Sequence, residues 1–408
     1  MKPLSRVVRL LAANALVLTL VLGGCATPPA PGVPTAPLLH DTLFERPAQL
    51  PDAAAVFTLS PAMRQFAGSE LRNIGHHPDP RRALIDALYR SRLRLAYDTS
   101  MTRNAAEAFD AQSGNCLSLV IMTASFARHL DLPVGFQAVQ ADVFYSRAGD
   151  LHMTSGHVNL VLDAPRMRQA FARSTDVALT IDFLPQHELR GQLTRPLTED
   201  TVLAMYFNNR AAELLAAGLV ADAYWHARAA LLQAPGYFTA ANTLGVIYNR
   251  AGHSAAAEQA YRHALQGEPD NVSAMSNLLR LLQGQGSTAA ITVNTAANTA
   301  ANTAAETTAL AARLAQLQPV APFQNFNLGR SAMDAGNYTQ ARDLFLRELR
   351  LQPYQDEVHF WAAQAYWQLG RPDDAARHLS RALSYSPTLA QHGRYAAKLD
   401  WLRHNRVQ

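Results

Sequence analysis

A period of 34 residues runs through the second half of the sequence. Pro235 and Pro269 stand 34 apart, as do Pro319 and Pro353, and Pro353 and Pro387. Glycines keep the same step at Gly218, Gly252 and Gly286, and again at Gly336 and Gly370. A repeat of that length is one helix–turn–helix unit. Such a unit has too little core to stand alone and buries its faces only by stacking on its neighbours. The period therefore calls for an all-α solenoid over about 202–387.

The unit ending at Pro269 carries Leu244-Gly245, Tyr248, Gly252, Ala257, Tyr261 and Ala264. Leu328-Gly329, Gly336, Ala341, Phe345 and Pro353 match it, as do Tyr366, Gly370, Ala375, Ala382 and Pro387. This pattern resembles the tetratricopeptide repeat: small residues stand where two helices approach, large ones between neighbours. Five repeats fit 202–387, with a capping helix and tail over 388–408. One interval breaks step, since Pro269 to Pro319 is 50 residues, one period plus 16. The surplus falls near 288–304, where Asn294-Thr295-Ala296-Ala297 recurs at 298 and 302. With no large apolar side chain to bury, this low-complexity insert is expected to be an exposed inter-helix loop.

The other end of the chain reads as an export signal. Lys2, Arg6 and Arg9 precede an apolar run from Leu10 to Leu22, too short for a permanent span. The run ends in Leu22-Gly23-Gly24-Cys25, which resembles the bacterial lipobox. That resemblance implies a signal peptide over 1–24, acylation of Cys25 and, with Ala26 next, an outer-membrane address facing the periplasm. Residues 25–44 are rich in proline and are expected to be an extended tether. No later segment is apolar and long enough to cross a bilayer, so the membrane is met only through the lipid.

Charge points to no polyanion. Removing the three signal cations from 36 Lys+Arg leaves 33 against 32 Asp+Glu, which argues against a nucleic-acid partner. The 14 histidines form no tight ligand set and no glycine-rich phosphate loop occurs, so neither a metal nor another cofactor is expected.

With Cys25 lipidated, Cys116 has no partner in an oxidising compartment, where thiols tend to be paired, buried or reactive. It follows Ser113-Gly114-Asn115 and opens a run that is apolar on every side, from Leu117 to Leu130, which reads as a buried central helix. A thiol in a first helical turn sits at the positive end of the macrodipole, which favours the nucleophilic thiolate. A helix is also expected over Arg81–Tyr97. Strands are expected at Val134–Val143, Gly156–Leu162 and Val177–Phe183, an α+β order for 45–198. A thiolate nucleophile needs a base and the base an orienting group. His157 and Asp182 lie on two of those strands; His152 and His187 compete for the first role, Asp163 and Asp176 for the second.

Gly114-Asn115-Cys116, Gly156-His157-Val158 and Ile181-Asp182-Phe183, in that order, resemble the transglutaminase-like (papain-like) superfamily. The upstream Thr102-Arg103-Asn104-Ala105-Ala106-Glu107-Ala108-Phe109 is similar to bacterial lipoproteins that join this domain to tetratricopeptide repeats. The resemblance implies Cys116 as nucleophile, His157 as acid/base and Asp182 as the group that orients the imidazole. The His-to-Asp interval of 25 is longer than the family's, which suggests a longer hairpin connection. Asn159 shares the face of His157 and is a candidate for substrate or oxyanion bonding, although a satisfied amide explains it as well. The implied activity is acyl transfer on a polypeptide or cell-wall peptide, hydrolysis being favoured over cross-linking, with a protein or peptide ligand in the repeat groove. Two other readings compete. One is a catalytically inactive tetratricopeptide-repeat scaffold. The other is a bacteriocin-processing peptidase, discounted because Asn-Cys-Leu-Ser replaces that group's Cys-Gly-Pro.

Overall fold

The computed structural model describes residues 35–91, 93, 95–98, 101–148, 151–163, 178–183, 193–289, 297–318, 322–386 and 388–404. The signal sequence, Cys25, Asp176 and His187 lie outside them.

Helices lead. Pro61–Glu70 (α1) starts behind Ser60, whose side chain accepts a bond from the Met63 N–H. Its Pro61 occupies the first turn, where a missing N–H costs nothing. Pro80–Asp86 (α2) passes into a π-turn at Ala87–Ser91. The helix expected over Arg81–Tyr97 therefore ends early, and Ala96–Tyr97 (β1) is instead a short strand. It runs parallel to Ser113–Gly114 (β2), which ends two residues before Cys116. Pairing with a distant segment overrides local propensity here. Between them Ala105–Ala111 (α3) is closed by a reciprocal capping box of Asn104 and Glu107. Cys116–His129 (α4) follows, buried from Cys116 through Ala127.

Four antiparallel strands pack beside α4: Val134–Ala148 (β3), Leu151–Leu162 (β4), Leu179–Ile181 (β5) and Leu193–Leu197 (β6), in the order β5-β4-β3-β6. The hairpin strands are longer than their sequence pattern, and a bulge between Val139 and Phe144 shifts the register. Strand β6 carries Pro196 and lies at the sheet edge, the place where proline is tolerated; its pattern gives no strand signal.

The rest is helical. Glu199–Ala216 (α5) pairs with Val220–Gln233 (α6), Phe238–Arg250 (α7) with Ser254–Gly267 (α8), and Val272–Ala289 (α9) with Ala297–Leu317 (α10). Gln324–Asp334 (α11) pairs with Tyr338–Leu351 (α12), Asp356–Gln368 (α13) with Pro372–Ser384 (α14), and Leu389–His404 (α15) closes the end. Gly252 turns α7 into α8 with φ +84°, a left-handed conformation that side chains rarely adopt. No helix among the described residues is long and apolar enough to cross a membrane.

Two further expectations are corrected. The insert is not a loop from residue 297 onward: its Ala-rich copies form the start of α10, because alanine has the highest helix propensity and local structure needs no core. The tether is not free of packing over its last ten residues. Ala36–Leu38 and Asp41–Leu43 form short turns against the first two repeats. The Tyr248 hydroxyl donates to the Leu38 carbonyl at 2.7 Å, that of Tyr224 donates to Asp41 at 2.7 Å, and Phe44 stacks on Tyr224 at 4.3 Å. Leu38, Asp41 and Phe44 supply groups that a proline-rich spacer lacks.

Candidate active site

Cys116 is placed by its neighbours before it. Asn115 is the N-cap of α4, its Oδ1 accepting from the Ser118 N–H at 2.9 Å and from the Ser118 hydroxyl at 2.8 Å. Ser118 Oγ in turn accepts the Arg103 N–H at 2.8 Å. Gly114 has no room for a side chain, since a Cβ there would meet Ser118 Cβ at 2.7 Å. The β1–β2 pairing continues at Asp98, whose N–H donates to the Gly114 carbonyl at 3.0 Å. The thiol thus stands at the first position of a capped helix, free of disulfide and buried.

His157 comes from β4, where it faces Val139 of β3 in register. Asp182 follows the last residue of β5, which pairs with Leu160 of β4 through Ile181. The long connection of residues 164–177 therefore does not separate them in space. The Nε2–H of His157 points at both Asp182 oxygens, at 2.7 and 2.8 Å. That leaves Nδ1 as the ring nitrogen free to serve Cys116, which also favours the charged ring. Burial works against an imidazolium at His157, but the bonds and charges of Asp182 and Cys116 outweigh it and raise the pKa to about 9.

Asp182 is anchored from its other side. Phe183 packs on the Tyr89 ring at 5.2 Å, and the Tyr89 hydroxyl bonds Thr123 on α4. Tyr89 belongs to the π-turn, a local widening of helix that recurs at functional sites. Neither Tyr89 nor this turn is evident from sequence, which shows only helical periodicity there.

Of the sequence candidates, Cys116, His157 and Asp182 converge. Asp163 is exposed past the end of β4, and His152 lies in the β3–β4 hairpin opposite Arg147, five residues from His157 along the strand. Asn159 is 4% exposed and sends its amide towards Asp182 Oδ2 at 3.5 Å, while its Oδ1 has no partner. Its contact is with the carboxylate, not with an open cleft. Among the described residues no cluster of three or more His, Cys, Asp or Glu is arranged to hold a metal ion.

Residues 326–390 match the tetratricopeptide repeat family. Together with the paired helices this makes the C-terminal part a tetratricopeptide solenoid, an architecture that presents an extended surface for proteins or peptides. No curated protein matches the chain. Among solved structures it is similar to TTC0263, a thermophilic TPR protein of Thermus thermophilus. The identity is 17% over 48% of this chain and 98% of that one, with a TM-score of 0.27. It is also similar to pilF of Pseudomonas aeruginosa, at 18% over 52% and 96%, TM-score 0.26. A third likeness is YrrB, described as a TPR protein with an unusual peptide-binding site, at 17% over 48% and 92%, TM-score 0.24.

Proposed function

We propose that the chain is a periplasm-facing lipoprotein, anchored in the outer membrane through Cys25, that couples a transglutaminase-like cysteine centre to a peptide-binding repeat scaffold. One observation carries the chemistry: His157 is held by Asp182 through both carboxylate oxygens, at 2.7 and 2.8 Å, and the same ring is influenced by Cys116, the thiol at a helix N-terminus. In the proposed reaction the Cys116 thiolate attacks an amide carbonyl carbon. The backbone N–H of Cys116 receives the developing oxyanion. As the C–N bond breaks, the His157 imidazolium gives its proton to the departing amine and a thioester remains. His157 then takes a proton from water, which attacks the thioester and releases the acid and the thiolate. A second amine in place of water would give a cross-link; water is the simplest acceptor.

The test is labelling of the mature protein with an electrophilic peptide amide. An adduct on Cys116 that is absent in Cys116→Ala and strongly reduced in His157→Ala is the expected result. A wild-type protein that forms no adduct defeats the enzyme reading. The second reading then stands: a lipid-anchored tetratricopeptide scaffold whose front domain does no chemistry. The family match over 326–390 favours that reading, since it speaks only for the array.

A further inference from the structure

The helix that carries the thiol is tied at both ends to the first helix of the array. At its C-terminal end Arg128 donates to Glu199 Oε1 at 3.0 Å and Oε2 at 2.6 Å. At its N-terminal end the link runs through Thr102. The Thr102 N–H donates to Glu213 Oε1 at 2.6 Å, and the Asn115 amide donates to Thr102 Oγ1 at 2.8 Å. Arg210 holds the other Glu213 oxygen at 2.8 Å. The stretch from Asn115 to Arg128 and that from Glu199 to Glu213 are each about 20 Å of helix, so the two ties match in spacing and set α5 in the sense opposite to α4.

The two ends differ in what they hold. Arg128 and Glu199 are both partly exposed, at 35% and 46% of their side chains, and Arg128 lies at the end of α4 away from the thiol. Thr102 is 1% exposed, and its hydroxyl holds the residue that caps Cys116. Every bond in the path from Glu213 through Thr102 and Asn115 to the first turn of α4 is between 2.6 and 2.9 Å.

We infer that Glu213, a residue of the repeat array, is a positioning residue for Cys116. It fixes Thr102, Thr102 fixes the Asn115 side chain, and that side chain sets the first turn of α4. The inference rests on the proposed acyl-transfer reading and deepens it: the centre is completed by the array's first helix.

The experiment measures the rate of Cys116 alkylation by iodoacetamide in the full-length mature protein, with the His157 ring titration as a second readout. Glu213→Ala is expected to slow alkylation on the order of tenfold, as small misplacements of a reacting group do, and to lower the His157 pKa from about 9. Thr102→Val keeps the shape and the N–H to Glu213 but removes the hydroxyl, and is expected to slow it likewise. Glu199→Ala, which cuts only the far tie, is expected to keep the wild-type rate. A fast wild-type thiol that stays equally fast in Glu213→Ala overturns the positioning role. If Glu213→Ala does not fold, an unchanged rate in Thr102→Val overturns it. Equal slowing in Glu199→Ala does so too, since general docking would then explain the effect. A wild-type thiol no faster than free cysteine overturns the acyl-transfer reading itself, and the positioning role with it.

Discussion

His157 keeps its proton because two acceptors hold it, not because it is exposed. Its side chain is 2% exposed, and burial alone would favour the neutral form; Asp182 and Cys116 reverse that and bring the pKa to about 9. A folded pKa raised above the ordinary value of about 6.5 stabilises the protein fully below that value, and the gain is lost as pH rises through about 9. The imidazolium, which serves as proton donor in the proposed reaction, is lost over the same window. Histidine NMR is expected to show one ring titrating near 9, and Asp182→Asn to move that titration down; a ring unmoved by the substitution contradicts the assignment. The three converging residues were legible in the sequence because each carries a local mark. Cys116 follows a Gly-Asn cap ahead of an apolar helix, and His157 and Asp182 interrupt apolar strands. Glu213 and Thr102 carry no such mark, since their bond spans 111 positions and neither residue type is unusual where it stands. Asn159 was half legible: the two-residue step puts it beside His157, but only the fold shows its amide turned to Asp182.

Helices and strands were legible to different degrees for a physical reason. Helical repeats make their pattern from contacts within 34 residues, and Gly245 shows why: a Cβ there would meet the Tyr261 ring at 2.5 Å, so the small and large positions are set by one neighbouring helix. The edge strand β6 depends on a partner far along the chain, and β1 is only 2 residues long, so both leave almost no pattern. Inside the array, α13 and α14 share a buried pair that periodicity does not reveal. His359 Nε2 donates to the Pro353 carbonyl at 2.9 Å, so its Nδ1 is the acceptor, and His378 must donate to it across 3.0 Å. An added proton on His359 Nδ1 would set two N–H groups against each other. Burial lowers both pKa values to about 4, helped at His378 by the charges of His359, Arg381 and Arg377. Lowered histidines stabilise fully above about 6.5, and the gain is lost as pH falls towards about 4, a tenfold change in proton affinity being worth about 1.4 kcal/mol. His378→Phe keeps a ring against Tyr366 and is expected to flatten the acid dependence of melting for these helices. Circular dichroism melts between pH 7 and 4.5 decide it, and an acid dependence as steep as in the wild type refutes the assignment.

The cores divide the molecule differently from the repeat count. One hydrophobic cluster runs from Leu38 through α4 and the sheet to Leu282, so the front residues and the first three repeats share a single interior. A second cluster joins α11, α12 and α13, and a third holds the later part of α13 with α14 and α15. The break comes where the low-complexity tract falls between α9 and α11. In a solenoid, cooperativity is carried by contacts between neighbours, so a gap in the core is where unfolding can stop. The ties of Glu213 and Glu199 to the thiol-bearing side lie wholly within the first cluster, and the acid-sensitive histidine pair wholly beyond it. Unfolding in urea is therefore expected in two steps, with the helices after residue 322 opening first. Lowering the pH from 7 to 4.5 should pull the first step to lower urea; the second should also shift, because burial lowers His226 and His263 as well, while His157 stays protonated across that range. Hydrogen exchange read by mass spectrometry resolves the two: peptides from 322–404 should lose protection before those from 105–282. A single transition in which both sets of peptides exchange together would show that the front residues and all five repeats form one cooperative body.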